Sequence, residues 1–324
     1  MVIYLKEVLI LFGGNSFEHE ISCKSVNYVI KNIDTKKFKY KLVGIDFNNN
    51  WFEINNIDTI DKNWKNKNIK QVNNIISYIK KFDIVFPVIH GNYGEDGKLQ
   101  ALFEIANTKY VGCNSYSNII CYDKLLTKLI LEKYDIPQVK YYIYNDKLNI
   151  DNIKYPVIIK PCKCGSSIGI NIADDKKELK KALKEALKYD SNIIIEEYIK
   201  NKRELECAVI EKKNKIITSD IGEIKNNDSW YDFDSKYINS IYTMISDIDN
   251  IIKNEITMYS KKIFKILNCK DLSRIDFLYD IDNKKLYFNE INTMPGLTEI
   301  SMFPKLLNNL GLDNKEIINT LLDT

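Results

Sequence analysis

Acidic residues and one arginine alternate along two neighbouring segments near the carboxyl end of the chain. Arg274 and Asp276 lie two apart in one segment, and Glu290 and Asn292 lie two apart in the next. Residues two apart in a strand point to the same face, so each pair is expected to line one surface. Two carboxylates and an amide oxygen suit Mg²⁺, which keeps further positions for phosphates and water. The pattern favours a metal site over an ordinary salt bridge on a solvated strand face.

A second candidate region begins at Lys160, where an apolar run leads into a loop of small residues at 162–169. Gly and Ser let backbone amides approach a phosphate closely, and a lysine adds a compact positive charge. The spacing is not that of a Walker A motif, so the alternative is a plain turn. Lys124 lies at a predicted helix start, and Glu196 and Glu204 lie beside a connection between domains. These residues are expected to have a role only if they share this site.

Three further segments carry groups suited to binding. Residues 90–97 place three glycines and two acids between a strand and a helix, where α/β proteins put binding loops. Glu18, at a helix start after two glycines, either interacts with the helix dipole or binds an ammonium group. Residues 230–237 are aromatic and aperiodic, as in a lid over a site or a surface loop packed by its rings.

These groups need a scaffold, and the hydrophobic pattern predicts an α/β fold that becomes α+β in the C-terminal part. Three domains are expected, at 1–113, 114–195 and 196–324. The predicted strands are 7–12, 39–46, 82–90, 139–144, 155–160, 192–197, 205–217, 219–224, 273–280 and 285–292. The predicted helices are 18–33, 96–107, 123–134, 176–189 and 250–267.

Composition narrows the class of protein. The 324 residues include 47 basic and 44 acidic side chains, a net charge of +3, so nucleic acid is not an expected partner. No apolar run is long enough for a membrane span, and no secretory signal is evident, which predicts a cytoplasmic protein. Seven scattered cysteines favour free thiols over a disulfide framework.

Five motifs, taken in order, resemble the D-alanine-D-alanine ligases, a family with the ATP-grasp fold that includes the related D-alanine-D-serine ligases. They lie at 12–22, 90–97, 160–169, 231–237 and 290–296, so the resemblance runs through nearly the whole chain. It implies a three-domain molecule with an N-terminal parallel sheet and with ATP between the central and C-terminal domains. Cys162 and Cys164 depart from the family pattern, as does one extra residue before Glu204.

The resemblance implies ATP-dependent joining of two D-alanine molecules through a D-alanyl phosphate, with release of ADP and phosphate, for peptidoglycan synthesis. It also implies two Mg²⁺ ions, for which Mn²⁺ would substitute, and a homodimer. Matching motif positions assign catalytic or substrate roles to Glu18, His90, Ser166, Tyr237, Arg274, Gly296 and Ser301. Cofactor positions are Lys124, Lys160, Glu196, Glu197, Ile199, Glu204 and Lys236, and metal ligands are Asp276, Glu290 and Asn292.

Two other functions remain open at this point. A D-alanine-D-serine ligase of the vancomycin-resistance type would share the mechanism and differ in its second substrate. Tyr237 after Lys236 argues against the D-lactate type but does not separate D-alanine from D-serine. The second alternative is a nucleotide-binding protein without turnover, which the complete set of metal ligands disfavours.

Overall fold

The computed structural model describes residues 5–55, 59–66, 69–145, 147–225, 241–244 and 247–323. Within these ranges no helix combines the length and the apolarity that crossing a membrane requires. The described strands form three sheets, and the chain completes each sheet before it starts the next.

The first sheet has the order β4-β3-β2-β1-β5-β6, with parallel pairing from β2 through β6. Its strands are β1 Lys6–Gly13, β2 Phe38–Ile45, β3 Trp51–Ile54, β4 Ile69–Gln71, β5 Ile84–Pro87 and β6 Lys109–Tyr110. Its helices are α1 His19–Asn32, α2 Ile75–Ile79 and α3 Lys98–Ile105, with a 3₁₀ turn at Trp64–Asn66. The parallel strands β1, β2 and β5 were predicted, whereas the short parallel strand β6 and the antiparallel strands β3 and β4 were not.

The second sheet is antiparallel throughout, with the order β7-β10-β8-β9. Its strands are β7 Tyr141–Ile143, β8 Val157–Pro161, β9 Asn171–Ala173 and β10 Ile193–Glu197. The helices of this part are α4 Ser115–Tyr122, α5 Lys124–Glu132 and α6 Lys176–Ala186, with a 3₁₀ turn at Ile150–Asn152. Asp175 caps α6 by accepting hydrogen bonds from two backbone amides, and the apolar stripe of that helix packs on the sheet.

The third sheet is also antiparallel, with the order β13-β12-β11-β14-β15. Its strands are β11 Lys202–Lys212, β12 Lys215–Lys225, β13 Ile241–Met244, β14 Leu272–Asp280 and β15 Lys285–Asn292. Helix α7 is Asn250–Ile266, and α8 Met302–Asn309 and α9 Asn314–Leu322, which were not predicted, follow the sheet.

One predicted strand boundary in this sheet is wrong. The break expected between residues 217 and 219 lies instead at Lys213 and Asn214, whose φ angles are 50° and 61°. A two-residue hairpin turn needs positive φ at both positions, which apolar periodicity alone does not reveal. The apolar residues Ile216 and Ile217 therefore belong to β12 and not to β11.

Alternate residues of β1 contribute to two different cores. Val8 and Phe12 join a cluster that includes Phe303 and Leu321 from α8 and α9, whereas Leu9 and Leu11 pack toward α2 and α3. Because a strand points successive side chains to opposite faces, one buried strand serves both layers. The first and last parts of the chain thus share a core, and the cleft is built beside it.

Candidate active site

The three sheets surround one cleft with a volume of about 760 Å³. Every predicted site residue in the described part of the chain lines it. These residues are Glu18, His90, Lys124, Lys160, Ser166, Glu196, Glu197, Ile199, Glu204, Arg274, Asp276, Glu290, Asn292, Gly296 and Ser301. Lys236 and Tyr237 lie outside the described residues.

Three buried charges form the floor at the second sheet. Glu196, on β10, accepts from Lys160 on β8 at 2.6 Å and pairs with Lys128 on α5 at 2.7 Å. Lys160 Nζ also donates to Asn289 Oδ1 at 3.1 Å. Both oxygens of Glu196 are therefore engaged by lysines.

Electrostatics keep this carboxylate ionised. Burial alone would raise the pKa of Glu196, but the ammonium groups of Lys128 and Lys160 outweigh it and lower the pKa to about 2. Two cations and one anion leave the cluster with a net charge of +1. A buried net positive charge beside a cleft is suited to bind phosphate.

Lys124 connects the floor to the third sheet. It is the first residue of α5, after Asp123, whose side chain caps the helix by accepting from the amides of Leu125 and Leu126. Its Nζ donates to the carbonyl of Cys164 at 2.7 Å and lies 3.6 Å from Glu290 Oε2. The predicted ammonium group at a helix start therefore faces both the small-residue loop and the predicted metal ligands.

The alternating residues of β14 and β15 meet as the sequence predicts. Arg274 lies directly opposite Asn292, and Asp276 lies opposite Glu290, with a bulge following Asp276. The guanidinium of Arg274 donates to both oxygens of Asp276, at 2.8 and 2.7 Å. Its Nε also lies 3.2 Å from Glu206 Oε2 on β11. Arg274 is thus held between two buried carboxylates.

The donor set at this point fits Mg²⁺. Asp276, Glu290 and Asn292 supply two carboxylates and an amide on one sheet face, and Asn292 Nδ2 donates to Asp276 Oδ2 at 3.1 Å. No cluster of three or more His, Cys, Asp or Glu side chains suited to a metal occurs among the described residues. A site with so few protein ligands relies on phosphate and water oxygens to complete an octahedron, as Mg²⁺ sites do.

Glu18 lines the cleft from the N-terminal part of the chain. It precedes α1, and its Oε1 accepts from Ser166 Oγ at 2.7 Å. A Cβ on Gly91 would lie 2.4 Å from Glu18 Oε2, and one on Gly165 would lie 3.1 Å from it. Gly91 also has a φ of 69°. Only glycine at position 91 combines this backbone conformation with room for the carboxylate.

His90 uses both ring nitrogens within the protein. Nδ1 lies 2.9 Å from the carbonyl oxygen of Met294, and Nε2 lies 2.8 Å from Ser25 Oγ. A carbonyl only accepts, so Nδ1 carries the proton and Nε2 accepts from the serine. Burial lowers the pKa of His90, which agrees with a neutral ring. The ring thereby fixes the loop after β15 to the N-terminal sheet.

Glu95 also connects the loop at Gly91 to the loop after β15 through hydrogen bonds. Its Oε2 accepts from the amide of Gly91 at 2.8 Å, and its Oε1 accepts from the amide of Met294 at 3.0 Å. Burial, with the charge of Glu18 nearby, raises the pKa of Glu95 to about 7. This part of the cleft is therefore assembled from loops that hydrogen bonds hold together.

The remaining predicted residues line the edges of the cleft. Ser301 is the N-cap residue of α8, and its Oγ accepts from the amide of Thr298 at 3.1 Å. A Cβ on Gly296 would lie 2.9 Å from that Oγ. Glu197 and Glu204 pair loosely with Lys140 at 3.4 Å and Lys202 at 3.7 Å. These carboxylates and Ile199 line the outer part of the cleft.

The structure adds three residues to the predicted site. Lys128 lies one helical turn after Lys124, and i,i+4 spacing was the signal that could have indicated it. Glu206 lies two residues after Glu204 on β11, on the same strand face. Glu95 was part of the 90–97 motif but was assigned no role, because its partner Met294 is far away in the sequence.

Comparison with protein families and curated relatives agrees with this arrangement. The family model described as D-ala D-ala ligase N-terminus matches residues 7–113, and that described as D-ala D-ala ligase C-terminus matches residues 130–323. The D-alanine--D-alanine ligase of Acetivibrio thermocellus is 38% identical, over 98% of this chain and 95% of its own. D-alanine--D-alanine ligase B of Clostridium tetani is also 38% identical, over 98% and 92%.

Solved structures extend the comparison to three dimensions. The VanG D-Ala:D-Ser ligase from Enterococcus faecalis superposes with a TM-score of 0.89 at 31% identity, over 99% of both chains. The D-alanine--D-alanine ligase of Bacillus anthracis, complexed with ATP, gives 0.77 at 26% identity, over 98% of this chain and 97% of its own. The predicted fold class is confirmed, and the chain belongs to the D-alanine-D-alanine ligase family.

Proposed function

We propose that this protein joins two D-alanine molecules into D-alanyl-D-alanine at the expense of ATP, as a step in peptidoglycan synthesis. The observation that carries the proposal is the convergence on one cleft of a lysine-lined floor, a carboxylate set suited to Mg²⁺ and the carboxylate of Glu18. The names of the full-length curated relatives support the same reaction.

The first step activates a poor acyl donor. A carboxylate oxygen of the first D-alanine attacks the γ-phosphorus of ATP, an O–P bond forms, and the bond to the ADP oxygen breaks. Lys160 and Lys124 face the phosphate end of the cleft and would offset negative charge there. Mg²⁺ held by Asp276, Glu290 and Asn292 would add Lewis-acid stabilisation of the transferred group. Glu18 would hold the ammonium group of the same D-alanine.

The second step forms the peptide bond. The uncharged amine of the second D-alanine attacks the acyl carbon, a C–N bond forms, and phosphate leaves as the C–O bond breaks and the amine loses a proton. Arg274 and the amide of Gly296 would donate to the tetrahedral oxyanion without reorganising. Ser301, at the start of α8, would bind the second carboxylate, where the positive end of a helix favours an anion.

The finer features are also proposals. From the family resemblance we infer two Mg²⁺ ions, which Mn²⁺ can replace. The few ligands on β14 and β15 would leave coordination positions for a triphosphate. A homodimer in the cytoplasm follows from the family resemblance. Light scattering of the purified protein tests the dimer, and turnover with Mn²⁺ in place of Mg²⁺ tests the substitution.

Phosphate release from ATP and Mg²⁺ tests the reaction directly, with D-alanine, L-alanine, or D-alanine plus D-serine as substrates and with dipeptides identified by mass. Release that requires D-alanine and yields its dimer is expected. No release with any of these amino acids would contradict the proposal and favour a nucleotide-binding protein without turnover.

A second candidate function is supported by a specific observation. The VanG D-Ala:D-Ser ligase matches 99% of this chain with a TM-score of 0.89. If an equimolar mixture of D-alanine and D-serine gives only the mixed dipeptide, that candidate replaces the preferred one.

A further inference from the structure

Lys128 is a charged residue that the proposed reaction does not use. Its side chain is 2% exposed, and it does not line the cleft. Its ammonium group lies 2.7 Å from Glu196 Oε1 and 5.1 Å from the centre of the Tyr141 ring. Burying a lysine is costly, so the chain must gain something from this contact.

The contact acts on Lys160 through a shared carboxylate. Glu196 gives one oxygen to Lys128 and the other to Lys160. With Lys128 present, the three groups carry a net charge of +1. Without it, Glu196 and Lys160 would form a neutral pair, and the carboxylate would turn fully toward Lys160. The ammonium group that faces the cleft would then attract phosphate less strongly.

We propose that Lys128 is a positioning residue for nucleotide binding, which holds one oxygen of Glu196 so that this carboxylate does not fully offset the positive charge that Lys160 presents to a phosphate group. The proposal rests on the proposed function in one respect, because it takes the anion that binds at Lys160 to be a nucleotide phosphate. It extends the nucleotide site beyond the residues that line the cleft.

The test is the affinity for ADP with Mg²⁺, measured by calorimetry without amino acids, in Lys128→Met. Methionine preserves the length and apolar stem of lysine and removes the charge. The dissociation constant of ADP is expected to rise roughly tenfold, because the charge of a buried partner is lost. In turnover, KM for ATP should rise by a similar factor, while KM for D-alanine stays within about twofold. Wild-type ADP affinity in Lys128→Met would overturn the proposal.

Lys140 provides a matched control, because its partner Glu197 directly follows Glu196 on β10. Lys140 pairs with Glu197 at 3.4 Å but is 63% exposed. Lys140→Met removes the same charge from a solvated pair, and ADP affinity is expected to stay within about twofold of the wild type. An equal loss of ADP affinity in both variants would show a general charge effect and would contradict the proposal.

A double-mutant cycle keeps the proposal testable if Lys128→Met folds poorly. Glu196→Gln removes the charge through which Lys128 acts. Lys128→Met is therefore expected to weaken ADP binding less in the Glu196→Gln background than in the wild type. The double variant also contains no buried carboxylate that has lost its partner. If Lys128→Met weakens ADP binding equally in both backgrounds, Lys128 acts independently of Glu196 and the proposal is wrong. Absence of ligase activity in the wild type would refute the proposed function without affecting this ADP measurement.

Discussion

Two parts of the cleft are built differently. At the floor, Lys128, Glu196 and Lys160 belong to a helix and two paired strands of one sheet, and their charges are almost wholly buried and neutralise one another in part. Elsewhere in the cleft, Glu18 and Ser166 belong to segments that are distant in the chain and meet through a hydrogen bond. The floor is stabilised by pairing among its buried charges. The part of the cleft around Glu18 is held together by hydrogen bonds between loops.

This difference predicts separable effects. A change at the floor should alter nucleotide affinity and acid stability, because its charges interact mainly with each other. A change in the part around Glu18 should alter D-alanine affinity and leave nucleotide affinity intact. The residues of β14 and β15 line the same cleft and should affect the rate of chemistry itself.

The largest effect is expected from Glu290→Gln. Loss of one metal-ligand charge should reduce kcat/KM by a factor on the order of 10³ or more, because the transferred phosphate loses charge stabilisation. Glu290 is partly exposed, so circular dichroism and thermal unfolding should remain close to the wild type. Glu53→Gln, a carboxylate of β3 outside the cleft, serves as the control. Wild-type turnover in Glu290→Gln would refute the metal site.

Arg274→Lys should have the next largest effect. Lysine keeps the charge but loses the fork that donates to both oxygens of Asp276, so kcat should fall about 10² to 10³-fold. Single-turnover measurements can separate the two steps. Accumulation of D-alanyl phosphate is expected if the loss is in peptide-bond formation; an unchanged kcat would exclude an oxyanion role.

Ser166→Ala sharpens the comparison between the two parts. Removing the hydrogen bond to Glu18 should raise KM for the first D-alanine about tenfold, in keeping with loss of a bond to a charged group. KM for ATP should change less than twofold. Equal increases in both constants would mean that the two parts are coupled rather than separate. The exposed Ser77, in α2, provides Ser77→Ala as a control.

The smallest effect is expected on stability at low pH, through the ionisation of Glu196 in the floor. The pKa of Glu196 is lowered from its ordinary value of 4.5 to about 2, so its stabilising contribution is present above pH 4.5 and is lost as the pH falls toward 2. The shift corresponds to roughly 3 kcal/mol of unfolding free energy. Urea unfolding between pH 5 and pH 2.5 should show a shallower decline in Glu196→Gln than in the wild type. Parallel curves would contradict the ionised cluster.

Much of the site was predictable because strand alternation is local. Arg274, Asp276, Glu290 and Asn292 follow from spacing in two strands, and the structure pairs them across the sheet. Lys128 and Glu206 carried the same kind of local signal but lacked a predicted partner. Their importance depends on Glu196 and Arg274, which come from other elements.

The sequence by itself determined the family, the parallel strands β1, β2 and β5 and most residues that line the cleft, since periodicity and motif order are properties of short segments. Only the tertiary structure decided how charges are shared. Glu196 became a bridge between two lysines, and His90 became a neutral link between Ser25 and Met294. The physical reason is that burial and long-range pairing set the charge and the partners of a side chain, and neither is encoded by its neighbours in the chain.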